Sequence, residues 1–263
     1  MPKQIALCLL TLLLPHVAFA DTATMSVEEI RTCIEKSGPK KSSVQTATLR
    51  TLDEEGGGTE SEAKLYWKRF EDDLSRAMIR FTDPPDLRDS ALLVLERKGG
   101  DNEIFMYLPE LRTVRRVTTG MMSGSMFGTD FTYEEFERLY RIADDLESRR
   151  VEDGTVADKA VFVIEGKPKT EEDSAYQRIV QYVEQERCVP IQTEFFGSGA
   201  EPQKVLSVDP GALRAYEGAW LPNQIVMKDL EKGTRTTLDV TKIEVDVDIP
   251  DRIFSQKGLS RGR

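Results

Sequence analysis

From residue 43 to residue 248 the sequence is a succession of short extended runs separated by turn signals, with little helix between them. Residues 43–53 and 59–70 are joined by Glu54-Glu55-Gly56-Gly57-Gly58, a hairpin by its glycines. In the second run Leu65, Trp67 and Arg69 alternate with Tyr66, Lys68 and Phe70. In 76–82, Ala77, Ile79 and Phe81 share one face, Met78 and Arg80 the other. Asp83-Pro84-Pro85-Asp86 stops that strand, since proline restricts the residue before it and removes a donor. Ala91–Leu95 is apolar throughout, and Gly99-Gly100-Asp101-Asn102 turns it into the apolar run Ile104–Leu108. Both runs therefore want cover on both faces. Further runs occupy 160–164, 176–185, 189–196, 204–208, 220–229 and 235–248. The charged stretch from Asp144 to Asp153 reads as a linker. Such spacing predicts an antiparallel sheet of about ten strands in a single domain.

Two capping boxes mark helix starts. Ser26-Val27-Glu28-Glu29 precedes Val27, Ile30, Cys33 and Ile34 at helical spacing, and Gly38-Pro39 ends that helix. Thr132-Tyr133-Glu134-Glu135 opens a second.

Residues 1–20 read as a cleaved secretory signal. Lys3 supplies the positive region, Ile5–Leu14 the apolar core, and Ala18-Phe19-Ala20 an A-x-A site before Asp21. Cys8 lies too early to be a lipid-modified cysteine, and no twin arginine is present, so the general secretion route is expected. The expected mature chain is 21–263, a periplasmic monomer. It loses Lys3 and the single histidine, His16, leaving 35 basic residues against 46 acids, a net charge of −11. A chain of that charge is repelled by nucleic acid. Without histidine it has no Ser-His-Asp or Cys-His machinery and no His-based zinc site. Asp130 with Glu134 and Glu135, or Asp83 with Asp86, could pair as acid and base or hold calcium. Asp130 and Glu135 are better read as helix-start residues, and no D-x-D-x-D-G loop exists. No cofactor, metal or catalytic residue is expected. Cys33 and Cys188 remain; in an oxidising compartment they read as a disulfide, the alternative being two small buried apolar side chains.

The least ordinary stretch is 104–133. Beyond Pro109 it carries Arg112, Arg115 and Arg116, with no acid from Leu111 to Thr129. These arginines are candidates for an anionic head group or an acidic docking patch; the alternative is a solvated strand surface. Gly120, Gly124 and Gly128 alternate with Met121, Met122, Met126 and Phe127, and Phe131 follows. No Lys-Ser or Lys-Thr follows the glycines, which argues against a phosphate loop, and the polar surroundings argue against a membrane dimer motif. A flexible loop with adaptable apolar side chains fits, as does ordinary core.

The strings YLPELRTVRRV (107–117), SGSMFGTDFTYEEFE (123–137) and IRFTDPPDLRDSALLVLER (79–97) resemble the signature of the LolA-like outer-membrane lipoprotein-sorting proteins. The resemblance runs through most of the mature chain, is strongest over 78–136 and weak in the last third. It implies an unclosed antiparallel β-barrel, a β-rich α+β fold, with short helices in the concave face. It also implies a carrier that holds lipid or lipoprotein acyl chains and works with an inner-membrane exporter. On that reading Trp67, Phe81, Leu93, Leu95, Phe105 and Tyr107 line a lipid cavity. Met121, Met126, Phe127 and Phe131 form its lid and part of its lining. Two other readings stand beside it: a non-enzymatic docking subunit of an envelope lipid-export complex, its cavity filled by its own side chains, and an outer-membrane barrel. Charges within 66–70 and 176–186 count against the barrel.

Overall fold

The structure, a computed structural model, describes residues 25–98, 102–140, 146–169 and 174–261. The expected signal segment 1–20, its cleavage site and the turn at 99–101 lie outside them.

Chain order begins with helix α1 (Val27–Ser37) and strands β1 (Ser42–Leu52), β2 (Gly58–Arg69), β3 (Ser75–Asp83), β4 (Ala91–Leu95), β5 (Glu103–Leu108) and β6 (Thr113–Arg116). Helix α2 (Tyr133–Leu139) is followed by β7 (Leu146–Arg150), β8 (Gly154–Val156), β9 (Lys159–Pro168), β10 (Arg178–Glu184), β11 (Val189–Phe196) and β12 (Lys204–Ser207). Then come β13 (Leu213–Tyr216), β14 (Ala219–Pro222), β15 (Gln224–Asp229), β16 (Thr234–Val245) and helix α3 (Gln256–Ser260). Fourteen strands form one antiparallel sheet in the order β6-β5-β4-β3-β2-β1-β16-β15-β12-β11-β10-β9-β7, with β8 beside β9. β13 and β14 form a separate hairpin. The sheet is not closed: β6 stands at one end and β7 at the other.

Pairing builds rows of side chains across the strands. Leu65, Ile79, Leu92 and Met106 are successive cross-strand partners and belong to the main core. So do Val163 and Val180 from the far half of the sheet. One core reached from both halves means that the sheet curls around it; this is the concave face. The adjacent row, Tyr66, Met78, Leu93 and Phe105, points the other way.

Both convex patches are covered. At β3–β5 the segment 246–261 lies across Met78, Leu93 and Phe105, burying Ile249, Phe254 and Leu259. The guanidinium of Arg80 donates to the carbonyls of Gly258 (3.1 Å) and Leu259 (2.8 Å), capping the end of α3. At β9–β10, Ile30 and Ile34 of α1 pack on Phe162, Ile164 and Val183. The Ser26 capping box forms as the sequence dictates: Glu29 N–H donates to Ser26 Oγ (3.3 Å) and Ser26 N–H to Glu29 Oε2 (2.7 Å). A disulfide joins Cys33 to Cys188, their Cα atoms 5.6 Å apart, and fixes α1 to the β10–β11 turn.

Two expectations change. Of the three helices only α2 lies in the concave face; α1 and α3 lie on the convex one, because Leu93, Phe105, Phe162 and Val183 need cover there. Of the stretch 144–153, read as a linker, residues 146–150 are instead strand β7, while 144 and 145 lie outside the described residues. Leu146, Ser148 and Arg150 are half-buried and alternate with exposed Glu147 and Arg149. An edge strand needs no more apolar content than that.

Candidate functional site

The chain leaves the sheet after β6 and enters the concave face. Val117 is buried in the main core, a short 3₁₀ turn covers Thr119–Met121, and residues 125–132 fold into a tight hairpin. Met126 N–H donates to the Phe131 carbonyl (2.7 Å) and Thr129 N–H to the Met126 carbonyl (3.1 Å). The two residues between, Phe127 (φ 51°) and Gly128 (φ 80°), are both left-handed, as a mirror-image turn requires. Glycine adopts that backbone freely and phenylalanine does not, so Phe127 is held at the tip by its packing. Its ring meets that of Phe81 at 5.0 Å and 61°.

Helix α2 follows with its own capping box: Glu135 N–H donates to Thr132 Oγ1 (3.2 Å) and Thr132 N–H to Glu135 Oε2 (2.8 Å). Met126, Phe131, Tyr133 and Phe136 are all buried in the main core. Segment 117–139 thus puts its own apolar side chains where the sheet curves inward. Beyond Val117, whose N–H donates to the Ile104 carbonyl (2.8 Å), it belongs to no ladder of the large sheet.

Polar side chains fasten it. Asp130, 5 % exposed, accepts from Thr234 Oγ1 and from Thr236 Oγ1 (2.8 Å) on β16. Its own N–H donates to Thr236 Oγ1 (2.8 Å). The Lys204 ammonium, on β12, donates to the Asp130 carbonyl (2.6 Å) and lies 3.3 Å from Glu135 Oε1. Tyr176 donates its hydroxyl to Glu135 Oε1. Burial, and then the neighbouring Glu135 carboxylate, push the Tyr176 hydroxyl far above the usual tyrosine range. Glu134 accepts from Ser174 Oγ (2.6 Å), Ala175 N–H (3.1 Å) and Arg138 (2.9 Å). Next to this network, burial raises the Asp229 carboxyl, but hydrogen bonds from Lys232 and the Lys204 charge outweigh it and hold it below the usual range. The arrangement holds a segment in place by hydrogen bonds that can exchange with water.

The expected lining residues divide by strand parity. Trp67, Phe81, Met126 and Phe131 lie in the concave core, with Phe127 packed against it. Leu93, Leu95, Phe105 and Tyr107 do not: they belong to the convex cluster beneath segment 246–261. Runs apolar on every residue left that parity open. Met121 is exposed. Arg112, Arg115 and Arg116 are exposed on the edge strand β6 and the turn before it, away from the buried network. The roles of Asp130, Lys204, Tyr176, Thr234 and Thr236 escaped the sequence reading. The sequence offered little signal: Lys204 stands at the start of β12 after three polar or turn residues, where a solvated lysine is the ordinary reading, and only its burial calls for a charged partner.

Comparison with known proteins agrees with this architecture. A family model with the description "Uncharacterized protein" matches residues 73–261, and the chain belongs to that family. No curated protein matches the sequence. Among solved structures, an outer membrane lipoprotein-sorting protein domain from Vibrio parahaemolyticus superposes with a TM-score of 0.80 at 20 % identity, over 89 % of this chain and 97 % of that one. A DUF1329 family protein from Desulfovibrio piger gives 0.80 at 20 % identity, over 88 % and 96 %. A LolA superfamily protein from Nitrosomonas europaea gives 0.69 at 18 %, over 88 % and 98 %. The fold is that of the LolA-like proteins, an unclosed half-barrel.

Proposed function

We propose that this protein is a non-enzymatic periplasmic carrier that takes lipid or lipoprotein acyl chains onto its concave face. The observation that carries the reading is segment 117–139. It fills the concave face with Met126, Phe131 and Phe136, yet beyond Val117 polar side chains, and no ladder of the large sheet, hold it there. Swinging it out would expose apolar sheet surface of the kind an acyl chain covers, at about 25 cal/mol per Å². On this reading the described form is the closed one, with Met126, Phe131 and Phe136 lying where an acyl chain would go. The fold shared with a lipoprotein-sorting domain and a LolA superfamily protein supports the same reading. So does the A-x-A site ahead of Asp21, for the compartment.

The dense packing of the same residues favours a second reading, a docking subunit whose concave face never opens. Native mass spectrometry of protein purified from its own cell envelope, together with titration of a fluorescent fatty-acyl probe, separates them. A co-purifying lipid and saturable probe uptake support the carrier. A bare chain that takes no probe leaves the docking subunit.

A further inference from the structure

Beyond the concave face, the exposed side chains around β6 form an unassigned rim: Arg115, opposite Met106, lies on the concave side of this edge strand and Arg116, opposite Phe105, on the convex side. Arg112, Arg115 and Arg116 are exposed, and among the described residues none of the three makes an ion pair or a side-chain hydrogen bond. In a chain of net charge −10, Arg50, Arg88, Arg97, Arg138 and Arg149 each hold a carboxylate, whereas these three, like the scattered Arg69, Arg235 and Arg252, do not; what sets them apart is that they fall together between positions 112 and 116. The exposed large apolar side chains among the described residues are Leu111 (49 %), Met121 (38 %) and Leu230 (51 %). Two of these bracket the arginines: Leu111 in the turn before β6, Met121 in the 3₁₀ turn after it. Arg112 has a left-handed backbone (φ 49°), which keeps this turn tight. Strand β6 is the outermost strand of the sheet, so its far side is open.

Unneutralised arginines between two projecting apolar side chains fit a lipid–water interface: the guanidinium groups meet phosphates and the apolar tips reach the acyl boundary. A partner strand added to the edge is the competing occupant. It is the poorer fit, because β6 is four residues long and charged short edges are how sheets resist strand addition. We infer that the β6 rim, with Leu111, Arg112, Arg115, Arg116 and Met121, docks the protein on the surface of a bilayer containing anionic phospholipid. The inference rests on the carrier reading and extends it. Met121 is itself part of segment 117–139, so docking sets the movable segment at the membrane. The rest of the acidic surface is repelled, which leaves one orientation.

Co-sedimentation with vesicles tests it, at low salt, using the purified protein. One set of vesicles holds phosphatidylglycerol with phosphatidylethanolamine, the other phosphatidylcholine alone. Binding is expected to the first set only and to weaken with salt. Each arginine is worth about fivefold in affinity near an anionic surface. The triple change Arg112→Glu, Arg115→Glu and Arg116→Glu, with unchanged circular dichroism, therefore lowers binding by at least tenfold. Leu111→Ser with Met121→Ser removes the apolar tips without adding charge and lowers it without altering its salt dependence. Failure of the parent protein to bind anionic vesicles, full binding by the triple variant, or binding to an acidic peptide but not to vesicles, each overturns the docking. Acyl-probe uptake in the same samples keeps the two ideas apart. A protein that takes the probe but ignores vesicles sinks only the docking. One that binds vesicles through its arginines but takes no probe supports the docking and sinks the carrier.

Discussion

The ring of Phe127 meets the ring of Phe81 edge-on, 5.0 Å between centroids, joining the tip of the concave hairpin to the sheet. An aromatic pair of this kind is worth roughly 0.5–1.5 kcal/mol beyond its buried area. Phe127→Asp removes it but puts a residue that tolerates left-handed backbone at φ 51°. The melting temperature should fall by only a few degrees, as Phe127 is half-buried and its replacement reaches water. On the carrier reading Phe127 lies on the bound acyl chain as lid once the segment has swung out, and this lost contact outweighs the weaker closed form, so acyl-probe affinity should fall by about tenfold. A mutant that melts far lower would mark Phe127 as fixed core. One that binds probe normally would place it outside the ligand site.

Asp130 is the anchor whose loss should favour opening. Asp130→Ala removes the acceptor of Thr234 and Thr236 and leaves Thr236 only Thr51 to donate to, at a cost of about 1–3 kcal/mol to the closed form. Because a closed segment competes with ligand, apparent probe affinity should rise while the urea midpoint falls. Lower stability with unchanged or weaker probe binding would show that ligand does not displace this segment.

The disulfide between Cys33 and Cys188 spans 155 positions of sequence. Chain-entropy arguments give about 4–5 kcal/mol for so long a loop, an upper figure. Cys33→Ser with Cys188→Ser should lower the unfolding free energy by about 2–5 kcal/mol in urea while preserving the sheet's circular dichroism. A loss below half a kcal/mol would mean that Ile30 and Ile34 hold α1 unaided.

Alkali should weaken the protein through its tyrosines. Burial first, then Glu135, raises the Tyr176 hydroxyl, and burial followed by the Glu194 hydrogen bond pushes Tyr182 up to about 12. The folded state therefore holds these protons more tightly than the unfolded chain, where tyrosine titrates near about 10. The resulting stability is complete below pH 10 and is lost as pH rises toward the folded values. Urea midpoints measured from pH 8 to 12 should decline above 10, and Tyr176→Phe should make the decline shallower. Equal declines in both proteins would remove Tyr176 from the account.

What could be read in advance followed the range of the interaction. The capping boxes at Ser26 and Thr132 span four residues each and were legible from the letters alone. So was the alternation in β2 and β3, where polar residues mark the outer face. Leu93 and Phe105 were not placed, because Leu92 and Leu93 are equally apolar and only packing of the far C-terminal segment decides which face each takes. Asp130 was readable as a helix-start residue but not as an anchor, since Thr234 and Thr236 lie more than a hundred positions downstream. Strand β7 escaped because an edge strand in a charged stretch carries almost no hydrophobic signal.

The middle of the sheet is β1 against β16, from Ser43 opposite Val245 to Leu52 opposite Arg235. The earliest strand therefore waits for the last one. As the chain emerges, β1–β6 can zip as a run of local hairpins, and β9–β12 can do the same, but neither half touches the other through the ladder until β16 arrives. Contacts of such separation form late and slowly. A chain cut short before residue 234 would hold two half-sheets, each with a bare inner edge, tied by Cys33–Cys188, by α1 packed on β9–β10 and by the bonds of Lys204 and Tyr176 to segment 130–135, but by no strand pairing. Whatever keeps this protein from aggregating during synthesis has to protect the edge of β1 for nearly the whole length of the polypeptide.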